Sequence, residues 1–129
     1  MAERRAASRH LVGTLVEFPL DQVRIFELAG RSIGVVRTPT GVYAVRNLCP
    51  HQAAPICLGH FGGTMLPSGP AASDLQYGLE HRVIRCPWHL WEFDIATGEA
   101  LFGISTRRLV TYPVEVEQDC VYVLVRAAN

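Results

Sequence analysis

From Leu11 onward the chain runs in short segments rich in Val, Ile, Phe and Tyr, broken by Gly and Pro at intervals that suit strands and defeat long helices. Residues 11–18, 23–28, 32–38 and 42–46 predict strands, with Pro39-Thr40-Gly41 turning the chain between the last two. Residues 109–115 and 120–125 predict a closing hairpin that turns at Glu117, Gln118 and Asp119 and sets Val121, Val123 and Val125 on one face. Pro113 cannot donate to a ladder, so its strand needs an edge or a bulge there. Residues 82–86 and 90–95 predict two short strands around a tight turn, closed by Ala96-Thr97-Gly98. Between 49 and 78 the breakers Pro50, Pro55, Gly59, Gly62, Gly63, Pro67, Gly69, Pro70 and Gly78 predict structured loops rather than core. The polar, Ala-rich residues 1–10, with Arg4, Arg5 and Arg9, read as a flexible N-terminal tail before a single domain over 11–129.

Composition sharpens this picture. With 129 residues, 49% of them hydrophobic and 19% charged, the chain has the make-up of one folded domain and no room for a second catalytic domain of ordinary size. Twelve basic residues, all Arg, balance twelve acidic ones, so net charge gives no reason to expect nucleic-acid binding. A neutral surface without Lys is compatible with a homo-oligomer. Four Cys are too few for a disulfide-dense secreted scaffold, no apolar h-region follows Met1, and no run approaches a membrane span. The expectation is a cytoplasmic protein without a membrane partner.

The chemistry concentrates at two short stretches. Cys49-Pro50-His51 and Cys86-Pro87-Trp88-His89 each offer one thiolate and one imidazole at a loop tip. Two sulfurs and two ring nitrogens suit tetrahedral Zn²⁺, or a [2Fe-2S] centre with sulfurs on one iron and nitrogens on the other. A Cys₂His₂ finger is disfavoured, because 34 residues intervene between His51 and Cys86, against about 12 to 15 between the halves of a finger. Cys57 and Cys120 read as small buried hydrophobes, with mutual pairing or a redox role as the alternatives. His60 and His81 fall outside the ligand spacing and suit surface or local hydrogen-bonding roles, and His10 belongs to the tail. Trp88, Trp91 and Phe93 are expected to pack beneath the loops and exclude water, with partner docking through Trp88 as the alternative. Pro50 and Pro87 fix the tips.

Taken with Gly59, Gly63, Trp91, Phe93-Asp94, Thr97-Gly98 and Tyr112-Pro113-Val114, the two stretches resemble the Rieske [2Fe-2S] domain family over nearly the whole chain, particularly its soluble ferredoxins. The resemblance implies an all-β fold, an antiparallel β sandwich with a small cluster-binding subdomain at about 47–95. It implies that Cys49 and Cys86 hold the inner iron and that His51 and His89 hold the outer iron through Nδ1. Relative to the commoner family spacing, the half-motifs are further apart, which predicts an inserted loop at about 65–80. Leu90 stands where many relatives have Gly, so the backbone there must accept a Cβ. No additional Cys follows each half-motif closely enough for a disulfide between the loops. With few nearby hydroxyl donors as well, a potential in the lower part of the Rieske range is expected.

A cluster whose ligands are all protein side chains has no open position and transfers one electron without binding substrate. No His follows Gly98, so a separate mononuclear iron triad has neither the length nor the ligands to exist here. The expected function is therefore a one-electron carrier rather than an enzyme. Its implied partners are a flavin or iron-sulfur reductase as donor and an oxygenase or other oxidoreductase as acceptor. The alternatives are the small Rieske-like subunit of a nitrite reductase and a metal-stapled assembly module without redox turnover.

Overall fold

A computed structural model of the chain describes residues 7–88 and 90–126. Among these described residues, ten strands form three antiparallel sheets. The middle sheet has the order β2–β3–β4–β8, from Arg24–Leu28, Arg31–Thr38, Gly41–Arg46 and Thr111–Tyr112. An outer sheet has the order β1–β10–β9, from Ala7–Thr14, Cys120–Arg126 and Val114–Glu117. The third sheet has the order β5–β6–β7, from His60–Pro67, Leu75–Arg85 and Glu92–Asp94.

The alternation of side chains assigns two cores to the two faces of the middle sheet. Ile33 and Val35 of β3 and Ala44 of β4 join Val121, Val123 and Val125 of β10, together with Phe18 and Leu28. Val36 and Val45, on the opposite face, join Ile84 and Phe93 of the third sheet together with Cys49, Ile56, Cys57, Cys86, Ile95 and Leu109. A sheet covered on both faces needs apolar residues at consecutive positions; β3 supplies them as Ile33-Gly34-Val35-Val36, all buried.

Three expectations change in the structure. β1 begins at Ala7, inside the stretch 1–10 expected as a tail, because backbone pairing from Ala7↔Arg126 to Thr14↔Cys120 holds it although its first side chains are exposed. The strand ends at Thr14, and Leu15–Glu17 form a 3₁₀ turn closed by a capping box in which the Glu17 carboxylate accepts from the Thr14 N–H at 2.7 Å. The remainder of the expected tail, residues 1–6, lies outside the described residues.

The segment 65–80 is also not a loop: β5 and β6 continue through it as a hairpin, with Met65↔Tyr77 and Leu66↔Gln76 as cross-strand pairs. The turn is tied by Asp74, whose carbonyl accepts from Ser68 N–H at 2.8 Å and whose carboxylate accepts from Ala71 N–H at 3.0 Å. Register shifts between Gly62 and Thr64, and the surplus residues form a bulge in β6, where Leu79 and His81 take left-handed φ of 50° and 68°. Thirdly, Pro113 divides the strand expected at 109–115. Before it β8 pairs with β4, and after it β9 pairs with β10, so the proline marks the passage from one sheet to the other.

Candidate metal centre

Both cysteine loops have the same backbone closure. Cys49 N–H donates to the Ala54 carbonyl at 2.8 Å, and the Cys49 carbonyl accepts from Ala53 N–H at 2.8 Å. In the second loop Cys86 N–H donates to Trp91 at 2.8 Å and the Cys86 carbonyl accepts from Leu90 N–H at 3.1 Å. Ala53 and Leu90, each four residues after its cysteine, share a φ of 57°. The repetition of Cys and Pro in the sequence is therefore conformational as well as chemical. Leu90 does accept a Cβ in the left-handed region, with its side chain 65% exposed.

The first loop is anchored on three sides. Asn47 Oδ1 accepts from Cys57 N–H at 2.8 Å while its Nδ2 donates to Ser32 Oγ at 3.2 Å. Arg107 donates to the Pro50 carbonyl at 3.0 Å, holding the segment after Leu101–Gly103 against the tip. Gly59 sits so close to β6 that a Cβ there would overlap the Arg85 carbonyl oxygen. The second loop continues β6 and returns as β7, whose Glu92 receives Arg85 at 2.8 Å and the Thr64 hydroxyl at 2.7 Å.

The two sulfurs come together. Cys49 and Cys86 are both essentially buried, neither is in a disulfide, and the Cys86 thiol lies within hydrogen-bonding reach of Cys49. Burial pushes the Cys49 thiol up and Cys86 pushes it further, while N–H groups of His51 and Gln52 aimed at the sulfur pull it down. Two adjacent buried thiolates need a cation, and amide donors to sulfur suit the thiolate form, so this pair fits an iron of a sulfide cluster. His51 stacks on Trp91 with ring centroids 4.0 Å apart and planes 13° from parallel. Behind it Trp91 meets the fully buried Phe93 at 6.4 Å. The fourth expected ligand, His89, lies outside the described residues. Among the described residues no three His, Cys, Asp or Glu side chains group as a single-ion site.

The other expected residues are placed elsewhere. Cys57 is buried under the middle sheet and Cys120 lies half-buried on β10, both as free thiols. His10 and His60 lie on β1 and β5, and His81 pairs with Asp21. Of the aromatic residues expected beneath the loops, Phe93 and Trp91 do pack there, whereas Trp88 is 58% exposed. Sequence reasoning missed the Arg107 tie, whose only signal is tertiary, and the face-to-face contact of Trp91 with His51.

An all-β domain that brings two buried thiols together between two identically closed loops, with the His51 imidazole on the first of them, has the sulfur and nitrogen donors of a metal-centre domain. The Rieske [2Fe-2S] domain family matches residues 8–113. The ferredoxin component of a naphthalene 1,2-dioxygenase system from Pseudomonas aeruginosa is 32% identical over 103 residues, covering 80% of this chain and 82% of that protein. The corresponding component of a 2,4-dinitrotoluene dioxygenase system from Burkholderia sp. (strain RASC) is 36% identical over 76 residues, 59% of this chain and 56% of the relative. Among solved structures, the ferredoxin of carbazole 1,9a-dioxygenase from Nocardioides aromaticivorans IC177 superposes with a TM-score of 0.69 at 27% identity, covering 95% of this chain and 99% of that one. The chain belongs to the Rieske [2Fe-2S] domain family as a Rieske-type ferredoxin. Its cofactor is the Rieske-type [2Fe-2S] cluster, and it is an electron-transfer component rather than an enzyme. No helix among the described residues is long and apolar enough to cross a membrane.

Proposed function

We propose that the protein carries one electron at a time from a flavin or iron-sulfur reductase to the oxygenase of an aromatic-ring dioxygenase system, with Cys49, Cys86, His51 and His89 as cluster ligands. The observation that carries the ligand assignment is the juxtaposed, buried Cys49 and Cys86 thiols at equivalent positions of two identically closed loops. The bound cluster supplies a reversible one-electron couple without an open coordination position.

The chain's own residues supply the rest. Ile56, Ile84 and Phe93 exclude water from the sulfur side. Trp91 fixes the plane of the His51 ring, and Arg107 holds the tip on which that ring is carried. Among the described residues the donors to Cys49 are the His51 and Gln52 amides and no hydroxyl, which supports a potential in the lower part of the Rieske range. A cytoplasmic location belongs to the same proposal, because Cys57 and Cys120, the thiols outside the ligand set, are unpaired with each other and suit a reducing compartment.

The test is electron paramagnetic resonance of the anaerobic, dithionite-reduced protein, with iron and acid-labile sulfide measured on the same sample and a redox titration following. Two irons and two sulfides per chain, a rhombic signal, and its loss in Cys49→Ala, Cys86→Ala, His51→Ala and His89→Ala are expected. A colourless protein holding one zinc would instead support the metal-stapled module, and a signal that survives the His variants would refute the ligand set.

A further inference from the structure

On the side of the domain formed by β1, β10, β4 and β8, a recess of about 420 Å³ contains three arginines. The strand register gathers them. Arg31 opens β3, Arg46 closes β4 opposite Ile33, and Arg126 closes β10 opposite Ala7. Val110, Pro113 and Leu124 provide an apolar wall between them. The chain carries no net charge, so three positive groups in one recess are a local arrangement and not the consequence of a basic protein.

None of the three guanidiniums pairs with a carboxylate among the described residues, whereas Arg9, Arg82, Arg85 and Arg108 all do. Arg31 is half-buried and oriented by a hydrogen bond to the Arg126 carbonyl at 2.5 Å, which leaves most of its N–H fork available. Arg46 and Arg126 reach the recess from the exposed side. A planar guanidinium fork recognises carboxylate and phosphate oxygens through paired charge-assisted hydrogen bonds. A cavity of this size, mostly apolar with a few convergent polar groups, has the usual form of a small-molecule site.

We infer that this recess binds a small organic oxyanion, a carboxylate or phosphate carried on an apolar body, held by Arg31, Arg46 and Arg126 and separate from the cluster loops. Arginine stays protonated across the physiological range, so recognition does not depend on titration of the protein. The apolar wall selects the body of the ligand, and the guanidiniums select its charge.

Isothermal titration of the full, cluster-loaded chain at physiological ionic strength with benzoate, phenyl phosphate and neutral benzamide tests this. Both anions should saturate one site per chain, with benzamide weaker by about tenfold or more. Arg31→Gln, Arg46→Gln and Arg126→Gln should each weaken benzoate about tenfold while leaving the reduced-cluster spectrum unchanged. Arg108→Gln, whose guanidinium pairs with Glu99 away from the recess, should bind like the parent. Benzamide binding as well as benzoate, anion binding without saturation at one site, or equal losses in the Arg108 variant would overturn the inference. Because the readout is ligand affinity, it fails or stands independently of the electron-transfer reading.

Discussion

Leu90 holds a left-handed backbone at φ 57° in the second cysteine loop, where its N–H closes the turn onto the Cys86 carbonyl. An L side chain in that region costs about 1 kcal/mol, and the exposed leucine recovers little of it through packing. Leu90→Gly should therefore stabilise the protein by about 1 kcal/mol in denaturant unfolding, with the cluster spectrum intact. Cys57 carries the opposite lesson, because its fit depends on the absence of a side chain. A Cβ on Gly34 would collide with its sulfur, and burial pushes the thiol up from its ordinary value of 9.0 to about 12. Folding thus favours the neutral thiol. That stabilisation is complete below about pH 9 and is lost as the pH rises toward 12. The parent should lose stability in that window by on the order of 4 kcal/mol more than Cys57→Ala, measured by unfolding at each pH. The burial of Cys57 was expected from the sequence and is found; the glycine that makes room for it was not legible, since Gly34 and Cys57 are distant in sequence.

At the scale of elements, strand identity was legible wherever a strand has one buried and one open face. β10 is the clearest case, because Val121, Val123 and Val125 alternate toward the core. The β5–β6 hairpin was not legible, for its outer half is exposed and contains Pro67, Gly69, Pro70 and Gly78, which signal turns when read alone. Backbone pairing across the two strands outweighs those local preferences. The junction at Gly59 links this hairpin to the first cysteine loop. Gly59→Ala should push the 3₁₀ turn Ile56–Leu58 off β6, costing about 3 kcal/mol and lowering iron occupancy in the purified protein, as read by unfolding and metal analysis.

At the scale of the molecule, the three layers place the paired thiols between the third and middle sheets while the second tip projects outward. Trp88 and Leu90, 58% and 65% exposed, crown that tip. Exposed large apolar side chains beside an electron-transfer centre suit a small, transient interface. Trp88→Ala should raise the KM for the oxygenase partner about tenfold in steady-state electron transfer, with potential and spectrum unchanged. A shifted potential would instead show that Trp88 acts on the cluster.

The sequence by itself determined the all-β class and the two loop motifs. Those depend on local alternation, turn chemistry and donor types, which are properties of neighbouring residues. Only the tertiary structure decided that β1 reaches back to Ala7, that the stretch after Met65 is a hairpin, that Pro113 passes between sheets, and that Arg31, Arg46 and Arg126 meet in one recess. Each of these depends on partners brought together across the sheets, so the free energy that fixes them comes from pairing and burial between distant segments and leaves no periodic trace in either segment alone.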